Sequence, residues 1–226
     1  MKTLIISFIT FFIMANLTAQ NNRKATEAKG LEVGQQAPVF SAKDANSETF
    51  QLSEKLKTGP VVLIFYRGQW CPVCNKHLSS IQENLEKIMD AGATVVAVSL
   101  TRPRRCKNVL GDAGATVVAV SPEKPEYLDK TAQKTGARFT LLHDENYKIA
   151  DAYDVTFLPG NMTRVMYNTM LGANLKEAHS DDSQRLPIPA TYVINTDGKI
   201  VWRHFDPDYK KRSTVEDIVA ALNSIQ

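Results

Sequence analysis

A buried-strand pattern leads directly into a pair of cysteines, and this constrains the fold more than any other feature of the chain. Residues 61–66, Val-Val-Leu-Ile-Phe-Tyr, form the continuous apolar run that is typical of strands buried on both faces of a sheet. From Pro72 to Ile88, apolar residues recur every three or four positions, which predicts an amphipathic helix that ends near Gly92. A strand, a loop and a helix in this order predict an α/β domain.

Further elements favour one α/β domain over residues 31–226, with a central sheet and helices on both faces. The segment Ser213–Glu216 has the pattern of a capping box at the start of a helix. Residues 160–178 are ambiguous, although methionines recur there at helical spacing. The remaining predicted elements are two helices and two strands: Pro125–Lys134, Val215–Ile225, Thr191–Asn195 and Lys199–Arg203.

Ten residues occur twice without change, because Asp90–Ser99 reads the same as Asp112–Ser121. Two copies are too few for a solenoid, which needs three or more repeats. Each copy contains a strand-forming segment, so the copies compete for one place in the sheet unless residues 102–110 form a crossover helix. We interpret residues 90–121 as a structural insertion without a catalytic role, and which copy lies in the sheet stays open.

The first nineteen residues have the pattern of a secretory signal peptide. Lys2 precedes an apolar run over residues 4–15, and Ala19 precedes a polar stretch. The run is shorter than the about 20 apolar residues that a membrane-spanning helix needs. We therefore expect cleavage near Ala19, export to the periplasm or the exterior, and a short tether over residues 20–30. Export would place the cysteines where disulfides persist.

Charge and composition exclude several classes of function. The chain of 226 residues has 27 basic and 24 acidic residues without a basic tract, so no nucleic-acid partner is expected. An apolar content of 43% with a net charge of only +3 excludes a disordered chain. An odd count of three cysteines with one close pair points to reactive sulfur. The third cysteine, Cys106, lies in the insertion and has no predicted role.

Cys71 and Cys74 occupy the positions of a redox pair at the start of a helix. The free backbone N–H groups and the dipole of the first turn stabilise a thiolate, and the thiol pKa in such motifs falls from about 8.5 to about 7 or lower. The spacing lets one sulfur attack a mixed disulfide or a sulfenic acid on the other. Pro72 fixes the backbone between the two cysteines.

Metal and haem sites fit these residues less well. A structural zinc site needs four ligands, but one cysteine pair is followed only by His77, which we interpret as a solvated helix residue. Haem attachment needs a histidine directly after Cys74, and position 75 is Asn. We expect no cofactor and no metal. A non-catalytic binding module with a structural disulfide or metal remains the alternative function.

Three further residues are candidates to support the cysteine pair. Trp70 is interpreted either as a shield and docking face for the sulfur or as a core aromatic residue. Pro189 precedes a predicted strand, where a cis peptide bond would indicate a functional position, and Pro187 is the alternative. Arg67 either supplies positive charge beside a thiolate or is solvated.

The chain resembles the AhpC/TSA branch of the thioredoxin-fold superfamily, on residues 31–40 and 62–74. Within this branch it is similar to the peroxiredoxin-like group with the motif Arg-Gly-x-Trp-Cys-Pro-x-Cys, here Arg67–Cys74. Residues 186–198 and 205–212 are similar to the same group. The resemblance implies a thioredoxin-like fold, with a central mixed sheet flanked by helices, and thiol redox chemistry.

Two alignments with this superfamily imply different mechanisms. On the peroxiredoxin pattern Pro-x-x-x-Thr-x-x-Cys, peroxide oxidises Cys74, Cys71 condenses with it, and Pro189 stands where a peroxide-orienting arginine is usual. On the thioredoxin pattern, Trp70, Cys71, Cys74 and a cis Pro189 all match, and Cys71 attacks a disulfide. The implied partners are a peroxide or a protein disulfide, together with an external thiol reductant such as a thioredoxin-like protein.

Overall fold

The computed structural model of the protein describes residues 23–92 and 114–225. In these ranges the strands are β1 (Ser41–Asp44), β2 (Thr49–Gln51), β3 (Val61–Phe65), β4 (Thr116–Ser121), β5 (Thr140–His143), β6 (Thr156–Phe157), β7 (Leu186–Pro187), β8 (Ala190–Ile194) and β9 (Ile200–Phe205). The α-helices are α1 (Leu52–Leu56), α2 (Pro72–Glu83), α3 (Leu85–Ala91), α4 (Pro125–Thr135), α5 (Lys148–Ala152), α6 (Asn161–Met170), α7 (Leu175–Ala178) and α8 (Val215–Asn223).

A mixed sheet of seven strands has the order β2-β1-β5-β4-β3-β8-β9. β4 pairs in parallel with β3 and with β5, whereas β8 is antiparallel to β3 and to β9. β6 and β7 form a separate antiparallel pair. The predicted central mixed sheet is therefore confirmed, and β3 has a strand on each side, as its continuous apolar sequence predicts.

Alternate side chains of β3 enter hydrophobic clusters on opposite faces of the sheet. Val62 and Ile64 belong to a cluster with side chains of α2, α3, α4 and α8. Val61, Leu63 and Phe65 belong to a cluster with side chains of α1 and α5. Helices thus cover both faces, as predicted. Burial of each such side chain contributes about 1.5–3 kcal/mol, so these contacts hold the end of β3 in place.

The second copy of the repeat lies in the sheet, because β4 is formed by residues 116–121 between β3 and β5. In the first copy, Asp90 and Ala91 end α3, and the part after Gly92 lies outside the described residues. Cys106 and residues 102–110, for which a crossover helix was one alternative, also lie outside them. The two sides of the insertion meet at the carbonyl of Met89, which accepts the N–H of Gly92 at 3.3 Å and that of Ala115 at 3.0 Å. α3 therefore ends beside the start of β4.

The prediction of a single helix from Pro72 to Gly92 is wrong, because this segment forms two helices, α2 and α3. Asn84 leaves helical geometry, with φ −113° and ψ 18°, and its side-chain amide donates to the carbonyl of Ser80 at 2.9 Å. Such bonds from an asparagine side chain to the backbone compete with helix formation. The other predicted helices agree with α4 and α8 within two residues at each end.

The predicted N-cap of the last helix is wrong by one residue. Thr214, not Ser213, is the N-cap of α8, and its hydroxyl accepts the N–H of Asp217 at 3.1 Å. The hydroxyl of Ser213 forms a buried hydrogen bond with that of Thr191 at 2.9 Å instead.

The ambiguous segment 160–178 forms α6 and α7. Its methionine spacing marks the outer face of α6, because Met162, Met166 and Met170 are 88%, 43% and 78% exposed. The buried residue of α6 is Tyr167, on the opposite face.

The N-terminal segment contacts the domain from the first residue that the structure describes. Arg23 donates to the carbonyl of Thr156 at 2.6 Å, and Gly30 donates to the carbonyl of Asp154 at 3.2 Å. The expected signal peptide lies outside the described residues. Among the helices described here, none has the length and apolar content to cross a membrane.

Candidate active site

The cysteine pair lies at the junction between β3 and α2. Cys71 is the N-cap of α2, Pro72 is its first residue, and the N–H of Cys74 donates to the sulfur of Cys71 at 3.3 Å. Both thiols are free, and they are only 2% and 1% exposed. The predicted placement of the pair at a helix N-terminus is therefore confirmed, but neither sulfur faces open solvent.

The surroundings of the two thiols favour ionisation of Cys74 over ionisation of Cys71. Burial opposes its ionisation, but a hydrogen bond from Cys71, the charge of Arg212 and the main-chain N–H and charge of Arg67 outweigh burial and lower the pKa of Cys74 to about 6. The hydrogen bond with Cys74 and burial raise the pKa of Cys71. At neutral pH the pair is thus a thiolate at Cys74 with a neutral thiol at Cys71.

Arg67 is enclosed by aromatic rings rather than solvated, so the solvated interpretation is wrong. It is 2% exposed, and its guanidinium carbon lies 4.5 Å from the ring centre of Tyr209, 4.8 Å from that of Tyr167 and 5.4 Å from that of Trp70. One guanidinium nitrogen donates to the Tyr167 hydroxyl at 2.7 Å. Cation–π contacts and this bond offset part of the cost of burying the charge near the thiolate.

Arg212 is a site residue for which the sequence predicts no role. Its guanidinium nitrogen Nη2 lies 3.4 Å from the sulfur of Cys74. It belongs to the loop between β9 and α8, which also carries Tyr209. The only signal for this loop in the sequence was the family resemblance of residues 205–212, which does not indicate a contact with a cysteine more than one hundred residues earlier.

Trp70 and Pro189 are both buried. Trp70 is 5% exposed, belongs to the same hydrophobic cluster as both cysteines, and packs against Tyr167 with ring centres 4.9 Å apart. It therefore shields the pair and is a core residue as well. Pro189 is buried directly before β8. The described residues contain no cis peptide bond, so Pro187 and Pro189 are both trans.

His77 is a partly buried residue of α2, and its interpretation as a solvated residue is wrong. Its Nε2 lies 3.1 Å from the hydroxyl of Ser213, which in turn is bonded to Thr191 of β8. Burial lowers the pKa of His77 to about 4, so the ring is neutral at pH 7. The chain His77–Ser213–Thr191 ties α2 to the start of α8 beside Arg212. In the described ranges, no group of three or more His, Cys, Asp or Glu side chains is placed to hold a metal ion.

A comparison with protein families matches residues 32–222 to the family Redoxin. Among curated proteins, the chain is similar to a chloroplastic peroxiredoxin Q of Populus jackii, with 31% identity over 156 residues that cover 67% of this chain and 62% of that protein. It is also 26% identical over 125 residues to peroxiredoxin Bcp of Escherichia coli strain K12, covering 55% of this chain and 65% of that protein. Each match spans less than two thirds of the relative's length.

Among solved structures, the fold is similar to that of peroxidoxin BcpB from Mycobacterium tuberculosis. The TM-score is 0.59 at 20% identity, and the match covers 87% of this chain and 99% of that chain. A likeness at this level of identity shows the fold, and it confirms the thioredoxin-like fold that the sequence resemblance implied.

Proposed function

This chain belongs to the Redoxin family, and from that premise we propose that it is a thiol-dependent peroxidase in which peroxide oxidises Cys74. The observation that carries the proposal is the environment of the Cys74 sulfur. This sulfur is buried, yet the hydrogen bond from Cys71, together with Arg212 and Arg67, lowers its pKa to about 6. A thiolate is the nucleophilic form of cysteine, so Cys74 is ready to react at neutral pH.

The proposed reaction has two steps within the pair. The Cys74 thiolate bonds to one peroxide oxygen as the O–O bond breaks, which oxidises the sulfur to a sulfenic acid and releases an alcohol or water after protonation of the leaving oxygen. The Cys71 thiol then attacks the sulfenic sulfur, so that a disulfide forms and water leaves. Cys71 is suited to the second step because it already lies in hydrogen-bond contact with Cys74.

Burial of the pair favours a small oxidant over a protein disulfide. Exchange with a protein disulfide requires an accessible attacking thiolate, whereas Cys71 is 2% exposed and its pKa is raised. A peroxide molecule is much smaller than a protein loop, so it needs less space to reach the buried sulfur of the reduced pair. These observations support the peroxiredoxin alignment, with Cys74 as the oxidised residue. We propose that an external dithiol, such as a thioredoxin-like protein, reduces the resulting disulfide.

The experiment follows peroxide loss with the purified protein in a Cys106→Ser background, so that only the pair can react. We expect consumption of hydrogen peroxide or an organic hydroperoxide much faster than by a free thiol. Cys74→Ser abolishes it, whereas Cys71→Ser still consumes one equivalent and stops at the sulfenic acid. Peroxide loss no faster than with a free thiol contradicts the proposal. If the protein then reduces insulin and this activity depends on Cys71, disulfide exchange replaces peroxide reduction as the proposed function.

We also propose that the protein is exported after cleavage near Ala19. The support is the charged start and the short apolar run over residues 4–15. The mass of the protein recovered from outside the cytoplasm tests this, because retention of residues 1–19 contradicts cleavage.

A further inference from the structure

Glu123 is a buried carboxyl group next to the turn of residues 68–71, which ends at Cys71. The proposed reaction gives this carboxyl group no role. Glu123 lies two residues after β4 and is 0% exposed. One carboxyl oxygen, Oε2, accepts the N–H of Gln69 at 2.8 Å. The other, Oε1, has no hydrogen-bond partner among the described residues. A buried carboxylate with an unpaired oxygen is costly, so this environment favours the protonated group.

Gly68 shows how closely the carboxyl approaches the loop that carries the pair. A Cβ on Gly68 would lie 2.5 Å from Oε1 of Glu123 and 2.7 Å from the indole nitrogen of Trp70. The carbonyl of the same glycine accepts the N–H of Cys71 at 3.2 Å. Only glycine fits here, since its φ is also +145°. The carboxyl group thus packs against the turn that ends at Cys71.

Burial favours the protonated form of Glu123, and the negative charge of a Cys74 thiolate favours it further. Burial is the main cause that raises the pKa of Glu123 to about 8, and the charge of the Cys74 thiolate raises this pKa further. The hydrogen bond from the N–H of Gln69 and the charges of two lysines on α4 lower it. Titratable and charged side chains face Glu123 from several elements: Tyr66 after β3, Cys74 on α2, and Tyr127, Lys130 and Lys134 on α4. Two histidines are also near: the ring of His143 on β5 forms a hydrogen bond with the main-chain oxygen of Glu123, and His179 forms an isolated β-bridge with Glu123.

We propose that Glu123 is a positioning residue that stores a proton for the pair: it is protonated while Cys74 is a thiolate and releases the proton when Cys74 is oxidised. Oxidation removes the negative charge of the thiolate, so the charged form of Glu123 becomes less unfavourable. The inference rests on the proposed peroxidase for its natural oxidant, but the coupling holds for any oxidant that converts the pair to a disulfide.

Protons and electrons balance over the cycle. As the O–O bond breaks, the sulfur of Cys74 loses two electrons to oxygen, the leaving oxygen takes up one proton, and Glu123 releases one, so this step has no net uptake of protons. The proton of Cys71 then leaves in the water formed with the disulfide. When an external dithiol reduces that disulfide, one of its two protons returns to Cys71 and the other to Glu123, while Cys74 leaves as a thiolate.

The number of protons released per disulfide tests this inference. It is measured from the pH dependence of the redox equilibrium between the protein and dithiothreitol, between about pH 6.5 and 7.5. We expect the wild type to approach two protons, from Cys71 and Glu123, and Glu123→Gln to release one, so the slope falls by up to half. Glu126→Gln, which removes an exposed carboxyl three residues away, keeps the wild-type count. Equal counts in the wild type and Glu123→Gln overturn the inference.

A second measurement uses the wild type alone, in case Glu123→Gln does not fold. The infrared difference spectrum between the reduced and the oxidised protein at pH 7 should lose a carboxylic-acid C=O band and gain a carboxylate band on oxidation. If no carboxyl group changes its protonation, the proton store is wrong. Neither measurement uses peroxide, so the two proposals can fail separately. If the protein does not consume peroxide but releases the expected two protons per disulfide, only the proposed peroxidase function is contradicted.

Discussion

The reactivity of this site depends on which of two sulfurs is ionised, and that is decided at the scale of single residues. A helix N-terminus alone would favour Cys71, the N-cap. Burial raises the pKa of both thiols, but the positive groups lie around Cys74: the guanidinium of Arg212 at 3.4 Å, the charge of Arg67 and its main-chain N–H. An opposite charge within about 4–6 Å lowers a pKa by about 1–3, and together with the hydrogen bond from Cys71 these groups favour ionisation of Cys74.

Replacement of Arg212 tests this account of Cys74. Arg212→Ala removes the charge next to the sulfur, so we expect the pKa of Cys74 to rise by about one or more. Because the thiolate is the reactive form, the rate with peroxide rises with pH through about 6 in the wild type, and through a higher pH in the variant. If the pKa rises by about one, the variant should react about fivefold more slowly at pH 6, because fewer of its molecules carry the thiolate. Thiolate absorbance against pH measures the change in pKa directly.

A matched control separates the contact of Arg212 from a general change in surface charge. Lys211→Ala removes the neighbouring cation, whose side chain is 63% exposed and paired with Asp206, and should leave the Cys74 titration unchanged. Arg212→Lys should restore part of the lowered pKa, since it restores the charge without the planar guanidinium. Equal titrations of Cys74 in the wild type and Arg212→Ala would show that other groups hold the thiolate.

At the scale of elements, α6 has two faces with different physical roles. Its inner face carries Tyr167, which packs on Trp70 and accepts a hydrogen bond from Arg67. Its outer face carries methionines that are largely in solvent. The methionines that recur at helical spacing in the sequence therefore mark the exposed face of α6. Tyr167, which joins α6 to the site, lies in the sequence between Met166 and Met170.

Substitutions on the two faces of α6 should differ in their effect on stability. Tyr167→Phe keeps the ring but leaves a buried guanidinium N–H of Arg67 without its acceptor, which should lower the free energy of unfolding by about 1.5–3 kcal/mol. Met162→Gln, on the outer face, should change it by less than about 0.5 kcal/mol. Urea denaturation measures both. A Tyr167→Phe variant as stable as the wild type would mean that water replaces the lost acceptor.

At the scale of the whole molecule, the two described ends of the duplicated segment meet at one point of the fold. Met89 accepts N–H bonds from both sides of the insertion, Gly92 and Ala115. A Cβ on Gly92 would lie 2.6 Å from that of Ala115, so the chain leaves and re-enters the fold at one point. Removing residues 91–112 or residues 100–121 produces the same polypeptide, because the copies are identical.

The variant without residues 91–112 should fold with β4 intact. We expect its free energy of unfolding to equal that of the full chain or to exceed it by up to about 2 kcal/mol, because the entropic cost of closing a long loop is lost. Thermal unfolding and peroxide consumption are compared with the full chain carrying Cys106→Ser, so that the loss of the third thiol does not enter. A variant that fails to fold would show that the insertion contributes to the core.

Local features of this protein were predictable because their causes are local. The apolar run of β3, the helix start at Pro72 and the limits of α4 follow from hydrophobic spacing and from proline and glycine positions a few residues away. The break at Asn84 and the shifted cap at Thr214 were not predictable in this way. Each depends on a side-chain hydrogen bond that competes with a nearly equivalent local alternative.

The reactive pair itself follows from the sequence alone, since Cys71 and Cys74 are three residues apart on one helical turn and need no distant contact to meet. Which sulfur is ionised, and what surrounds it, follows from tertiary packing. Arg212 and Glu123 come from loops far along the chain, and their contacts with Cys74 and with Gln69 depend on how helices pack on both faces of the sheet. Electrostatic interactions depend on distance and burial in space, and neither quantity can be obtained from spacing along the sequence.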